Sequence, residues 1–243
     1  MGEDKQSPAV EIKNLSKHYG HQKAVNGIDL TLNAGEFVSL FGPNGAGKTT
    51  LIKIIATILK PSSGSLRIMG KEPRNAPEEL RSHLGVISHH SYLYNNLSAL
   101  ENLMLYGKLY GVSRVEERAN ELLGRVGMEY RRHELARNFS RGMQQRVSIA
   151  RALIHDPDII LLDEPYSGLD QHASQMLRET LDQLHDGNHT ILMITHNLSL
   201  GLSQCDRIAI QVRGKLVFDQ KSESVTKNEF EDLYFKYVEE GNC

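Results

Sequence analysis

The chain has 243 residues, room for one large domain with a buried core, and its 28 Lys+Arg against 30 Asp+Glu give a formal net charge of −2, excluding the basic excess of a protein that coats nucleic acid. Hydrophobic residues at 40% and charged residues at 24% exclude a disordered chain. No apolar run approaches the ~20 residues that span a bilayer, and the opening MGEDKQSPAVEIK has neither the apolar core of a secretory signal nor the Ser or Thr of a myristoylation signal, so a cytoplasmic protein is expected.

In chain order, apolar β-branched runs alternate with helical patterns, which predicts an α/β fold with a mostly parallel sheet covered by helices. Phe37 to Phe41 reads as a buried strand, followed by a Gly-rich loop, a helix from Thr49 to Leu59 and a turn at Ser62, Ser63 and Gly64. Leu84 to Ser88 reads as a further strand. Ser98 and Glu101 make a capping box for a helix through Leu109, with Leu100, Leu103, Met104 and Leu105 as an apolar stripe that serves either the core or a partner. A helical stretch runs from Glu116 to Val126. Ile159 to Leu162 and Thr190 to Thr195 read as buried strands flanking a helix that carries Met176, Leu177, Leu181 and Leu184 and ends near Gly187, a β-α-β unit. Ile208 to Val212 and Leu216 to Phe218 flank Arg213, Gly214 and Lys215 as a hairpin. Phe230, Leu233, Tyr234 and Tyr237 stand at i, i+3, i+4 and i+7, giving an amphipathic helix over 227–239 that packs on the body or meets a partner. The two cysteines, Cys205 and Cys243, are too few and too far apart for a disulfide framework or a zinc cage, and read as reduced thiols.

Two motifs carry chemistry. GPNGAGKTT, comprising Gly42, Pro43, Asn44, Gly45, Ala46, Gly47, Lys48, Thr49 and Thr50, fills the pattern G-x-x-x-x-G-K-[ST] between a strand and a helix. Its glycines let backbone N–H groups and the helix N-terminus converge on phosphate oxygens. Lys48 adds a positive charge for the β- and γ-phosphates, and the Thr49 hydroxyl is a ligand for Mg²⁺. The second motif, IILLDEP, places Asp163 and Glu164 at the carboxyl edge of a buried strand, where open α/β sheets bind ligands. Asp163 suits Mg²⁺, and Glu164 suits a general base that polarises an attacking water.

With these motifs in this order, the sequence resembles the nucleotide-binding domain of the ATP-binding cassette (ABC) family over about residues 9 to 220. FSRGMQQR, Phe139 to Arg146, resembles the family signature; SGLD, Ser167 to Asp170, resembles its D-loop; His196 in MITHN resembles its switch histidine; and Tyr19 resembles the aromatic that stacks on adenine. The resemblance implies a P-loop NTPase fold, with a mostly parallel core sheet, a small antiparallel β subdomain and a helical signature subdomain over roughly 88–155, all in a single domain of residues 1–243. It implies ATP and Mg²⁺ as ligands, Asp170 of the D-loop among the nucleotide-binding residues, and a head-to-tail dimer in which Ser140 and Gly142 of one copy close over ATP held by the other. The strand from Leu84 should lead to a glutamine that touches Mg²⁺ and the membrane partner; here His89 and His90 follow it, and His89 is assigned the glutamine's role. Arg141 in the signature is a variant met in exporter-type members, with no loss of function expected.

The implied function is an ATPase subunit, peripheral on the cytoplasmic face of the membrane, that powers an exporter through separate transmembrane permease subunits, paired with a second nucleotide-binding domain. Ser88 to Gly111 would supply the docking groove. ISHHSYLYNNL together with FSRGMQQR is most similar to exporter ATPases, including the haem-exporter ATP-binding subunit. The alternative is a soluble ABC ATPase of translation or DNA repair, whose relatives usually fuse two cassettes or insert a long coiled coil; here only residues 51–138 separate the single phosphate loop from the signature. A small-molecule kinase ranks last. As a cluster, His83, His89 and His90 read as ordinary surface histidines and not as a metal site, since no Cys or paired carboxylate joins them, and Arg131, Arg132 and Arg137 read as a solvated face with no nucleic-acid role.

Overall fold

The computed structural model describes residues 7–88 and 91–240, without the side chain of His172. The elements are β1 (Val10–Tyr19), β2 (Gln22–Leu32), β3 (Phe37–Phe41), α1 (Lys48–Ile55), β4 (Ser63–Ile68), α2 (Pro77–Ser82), β5 (Leu84–Ile87), α3 (Ala99–Leu109), α4 (Val115–Arg125), α5 (Arg141–Ala152), β6 (Ile159–Asp163), α6 (Gln171–Leu184), β7 (Thr190–Ile194), α7 (Leu198–Ser203), β8 (Arg207–Val212), β9 (Lys215–Lys221) and α8 (Lys227–Glu240). Two sheets form among the described residues. One is antiparallel, ordered β2-β1-β4; the other is ordered β5-β6-β7-β3-β8-β9 and is parallel except for the β8-β9 edge.

Strands β3, β6 and β7 are buried at every position because both sheet faces are covered. Their alternation divides the core in two. Phe37, Phe41, Ile160, Leu162, Ile191 and Met193 face the helical side, whereas Val38, Leu40, Ile159, Leu161, Leu192 and Ile194 face α1 and the antiparallel sheet. Because β6, β7 and β3 are neighbours, the loops leaving their carboxyl ends converge on one edge of the sheet. There, the end of β6 carries Asp163, and the loops carry Glu164, His196 and the phosphate loop.

Several boundaries differ from the sequence expectations for identifiable reasons. The helix expected to reach Leu59 ends at Ile55, because Thr57 adopts a left-handed φ of 60° and the N–H groups of Ile58 and Leu59 turn back to the Lys53 carbonyl. Ser63 and Gly64 belong to β4 and not to a turn; Gly64, at φ 85°, lies so close to β1 that a Cβ would sit 2.3 Å from the Asn14 carbonyl oxygen. In the β8-β9 hairpin the loop is Arg213 and Gly214 alone, both with positive φ, and Lys215 already pairs with Val212. The helix after β6 closes at Leu184, before Gly187.

The capping box forms as the spacing dictates: Glu101 N–H donates to Ser98 Oγ at 3.2 Å and Ser98 N–H to the Glu101 carboxylate at 2.8 Å. Leu100 and Leu103 are buried, and Met104 packs beside them. The C-terminal amphipathic helix packs on the body: Phe230 is fully buried and meets Phe41 edge-on, with ring centroids 4.9 Å apart. Cys205 is a buried free thiol whose pKa burial pushes up to about 11, so it stays protonated near neutrality.

Candidate functional site

The phosphate loop is shaped by close packing from outside. Gly47, at φ 100°, begins α1, and a Cβ there would sit 1.8 Å from the Ala24 carbonyl oxygen. At Gly42 a Cβ would meet the Gln211 carbonyl oxygen at 2.1 Å. Neither position accepts a larger residue without displacing backbone. The Ala46 carbonyl accepts from Gly214 N–H and from Gln211 Nε2, each at 2.9 Å, while Gly214 O accepts from Asn26 N–H at 2.8 Å. The loop is thereby tied to β8 and to the β8-β9 turn, and through that turn to β2.

Lys48 Nζ reaches back over the loop and donates to the Gly42 and Pro43 carbonyls at 2.7 and 3.0 Å. Burial holds its ammonium below the usual lysine range, with the Glu164 and Asp163 carboxylates opposing that shift. A partly desolvated cation facing two carboxylates is matched to an anion that arrives with a compensating metal. Thr49 Oγ1 donates to Asp163 Oδ1 at 3.0 Å, and Asp163 is buried. This hydroxyl and carboxylate are hard oxygen donors, a pair suited to Mg²⁺.

Glu164 has φ 53°, an uncommon conformation for a residue with a side chain. Its N–H donates to the Ile194 carbonyl at 3.0 Å, and its carboxylate lies 2.7 Å from His196 Nδ1. Together with Tyr19, Gln22, Ala24, Ile194, Asp163 and residues 44–50, Glu164 lines a cleft of about 330 Å³. Tyr19 stands half-exposed at its rim, with Lys17 Nζ 5.5 Å from the ring centroid.

Ser140, Gly142 and Asp170 do not line this cleft. Ser140 is the exposed N-cap of α5 and accepts from Met143 N–H at 3.3 Å. A Cβ at Gly142 would meet nothing within 4 Å. Asp170 caps α6, accepting from Ala173 N–H at 2.8 Å. Arg141 packs on the D-loop: a Cβ at Gly168 would fall 2.9 Å from its guanidinium carbon. Gln145 Nε2 adds a bond to the Pro165 carbonyl at 3.4 Å. His89, to which the glutamine's role is assigned, and its neighbour His90 lie outside the described residues.

A second hollow, of about 250 Å³, lies between the sheet edge and the helical part, lined by Val86, Tyr92, Tyr106, Tyr110, Arg151 and His155 among others. The Arg151 guanidinium sits 5.1 Å from the Tyr106 centroid and 5.5 Å from that of Tyr92, and donates to Val86 O at 2.7 Å. Tyr110 stacks on His155 at 3.9 Å. Burial lowers the His155 pKa from the ordinary histidine value, and the Leu84 carbonyl, 3.2 Å from its Nε2, opposes this. His83 Nδ1 lies 2.5 Å from Asp158 Oδ2, and Arg131 makes an ordinary surface ion pair with Glu134 at 3.2 Å. Among the described residues no cluster of three or more His, Cys, Asp or Glu could hold a metal, and no helix is long and apolar enough to cross a membrane.

Sequence reasoning missed Gln211, Ala24, Arg141's packing role and the Arg151 cluster. Each acts through contacts distant in sequence, with no local pattern to announce it.

Residues 25–167 match the family described as ABC transporter. The ABC transporter ATP-binding protein NatA of Bacillus subtilis is 39% identical over 220 residues, covering 89% of this chain and 89% of that protein. The daunorubicin/doxorubicin resistance ATP-binding protein DrrA of Streptomyces peucetius is 35% identical, over 86% of this chain and 64% of that one. Among solved structures, an ATP-binding subunit of an ABC transporter superposes with a TM-score of 0.87 at 30% identity, covering 94% of this chain and 98% of that chain. The ATP-binding cassette MJ0796, a dimer in a post-hydrolysis state bound to ADP and Pi, superposes with a TM-score of 0.80 at 29% identity, over 88% and 98%.

Proposed function

This chain belongs to the ABC transporter family as an ATP-hydrolysing nucleotide-binding subunit, and we propose that two copies close on ATP to power export through separate transmembrane subunits. The observation that carries the reading is the row of Lys48, the Thr49–Asp163 pair and the His196–Glu164 pair along one cleft, facing a phosphate loop that packing holds open. Loop N–H groups and Lys48 bind the β- and γ-phosphates. Thr49 and Asp163 hold Mg²⁺, which when bound offsets phosphate charge. Glu164 takes the proton of the attacking water, and His196 orients its carboxylate. Tyr19 gives the adenine a ring face.

Ser140, Gly142 and Asp170 complete the neighbouring copy's site. Exposure of the Ser140 cap and the open space at Gly142 support this, as does the dimeric state of MJ0796. Closure that needs the γ-phosphate and relaxes after hydrolysis turns chemistry into motion. The aromatic hollow around Arg151 is the docking site for a transmembrane subunit, and the subunit is peripheral on the cytoplasmic membrane face. A Nod factor export ATP-binding protein and the daunorubicin/doxorubicin resistance protein DrrA among the relatives favour export. His89 fills the glutamine's role, and haem export is the narrower form of the reading.

The test is affinity purification of tagged Glu164→Gln protein with ATP from detergent-solubilised membranes of the source cell. A stoichiometric multi-span membrane protein supports the reading, and its identity decides whether haem export holds. Recovery only with ribosomes or DNA-repair proteins overturns it in favour of a soluble mechanochemical ATPase.

A further inference from the structure

Gln211 is fully buried at the end of β8, directly after the last residue of that strand to pair with β3, Ile210 opposite Phe41. Its amide is half used. Nε2 donates to the Ala46 carbonyl at 2.9 Å, whereas Oε1 is buried with no hydrogen-bond partner among the described residues. A buried acceptor without a partner costs folding free energy. The carbonyl that Nε2 serves is, moreover, already satisfied by Gly214 N–H at 2.9 Å. The fold therefore gains little from this amide that an apolar side chain would not supply.

What the amide controls is direction. No cis peptide occurs among the described residues, and in a planar trans peptide the C=O and the following N–H point opposite ways. Two donors, from Gly214 and Gln211, hold the Ala46 oxygen toward the β8-β9 hairpin, so the N–H of Gly47 points away from that hairpin. Gly47 has φ 100° and a contact surface with Nε2 so close that a Cβ would lie 2.8 Å from it. One donor leaves the peptide plane free to rock about a single bond; two donors fix it.

We propose that Gln211 is a positioning residue for the phosphate loop, clamping the Ala46–Gly47 peptide so that its N–H is preorganised for a nucleotide phosphate. The inference rests on the reading of this loop as the phosphate site. It assigns a cost in stability to a gain in ATP affinity, since preorganisation lowers the ordering that binding must otherwise supply.

The experiment compares wild type, Gln211→Leu, Gln211→Met and Lys48→Ala in the full chain, by thermal unfolding, by calorimetric titration with ATP and with inorganic tripolyphosphate, and by steady-state ATPase kinetics. Both Gln211 variants should keep or raise Tm, because they remove the unpartnered Oε1 and leave the Ala46 carbonyl with Gly214. They should weaken ATP and tripolyphosphate equally, by about 5-fold, and raise KM by the same factor with kcat unchanged at saturation. A merely structural role lowers the active fraction, hence apparent kcat, and leaves KM alone. Unchanged phosphate affinity, a fall in kcat only, or failure of both variants to fold overturns the proposal. If Lys48→Ala also leaves ATP affinity unchanged, it is the phosphate-loop reading that has failed; if Lys48→Ala weakens binding and the Gln211 variants do not, only the clamp has.

Discussion

The phosphate loop and the signature turn are both glycine-bearing segments at helix starts, yet their surroundings are opposite. A side chain at Gly47 would collide with Ala24 and at Gly42 with Gln211, whereas Gly142 faces open space and Ser140 is exposed. The first is glycine because this chain's own backbone occupies the neighbouring volume. At the second, nothing within the chain within 4 Å requires the absence of a Cβ. The proposed function gives that open space an occupant, a second copy offering bound ATP, so that one half of the site is built by the fold and the other half is supplied across a dimer.

Substituting each glycine in turn separates the two halves. Gly47→Ala should abolish ATP binding by the monomer, because the left-handed φ and the Ala24 carbonyl both reject the methyl group. Gly142→Ala should leave Tm and monomer ATP affinity within error of wild type and reduce hydrolysis by about 100-fold, read by ATPase assay beside calorimetric titration. Equal effects of the two substitutions on monomer binding would remove the distinction.

Lys48→Ala sharpens the comparison within the built half. Removing a buried ammonium from the mouth of the loop should weaken ATP by about 10- to 100-fold in a titration, with adenosine little affected. An unchanged ATP affinity would show that the carbonyl-bound position of Lys48 is its only role.

The smallest effect concerns the Arg151 hollow. Because burial lowers the His155 pKa, the unfolded chain takes up a proton that the folded chain refuses as pH falls below the ordinary histidine value. Stability from this residue is present above about pH 6.5 and lost as pH falls through the lowered pKa. His155→Gln should therefore lose less stability than wild type between about pH 7 and pH 5, a difference of about 2 °C in Tm. A wild type that is the less sensitive of the two would reverse the assignment.

How far the sequence could be read follows from how local each determinant is. The phosphate loop, the capping box at Ser98, the acids after β6 and the buried strands are contiguous runs whose chemistry or periodicity stands in a single window. The antiparallel sheet was expected only through the family resemblance, since β1 reaches its register through several irregularities that break the alternation. Thr57 ends α1 early through its own left-handed conformation, which no apolar spacing reports. Gln211 is 165 residues from the carbonyl it holds, and Arg151 is 65 from Val86. Contacts of that range belong to the topology and become visible only once the strands are ordered.

The central claim, a site completed by a second copy, is tested most directly by light scattering on purified Glu164→Gln protein, which should bind ATP without turning it over. Expected are a monomer alone and with ADP, a dimer with ATP, and loss of that dimer when Gly142→Ala is added. A protein saturated with ATP that stays monomeric, or a dimer indifferent to both nucleotide and Gly142, would contradict it.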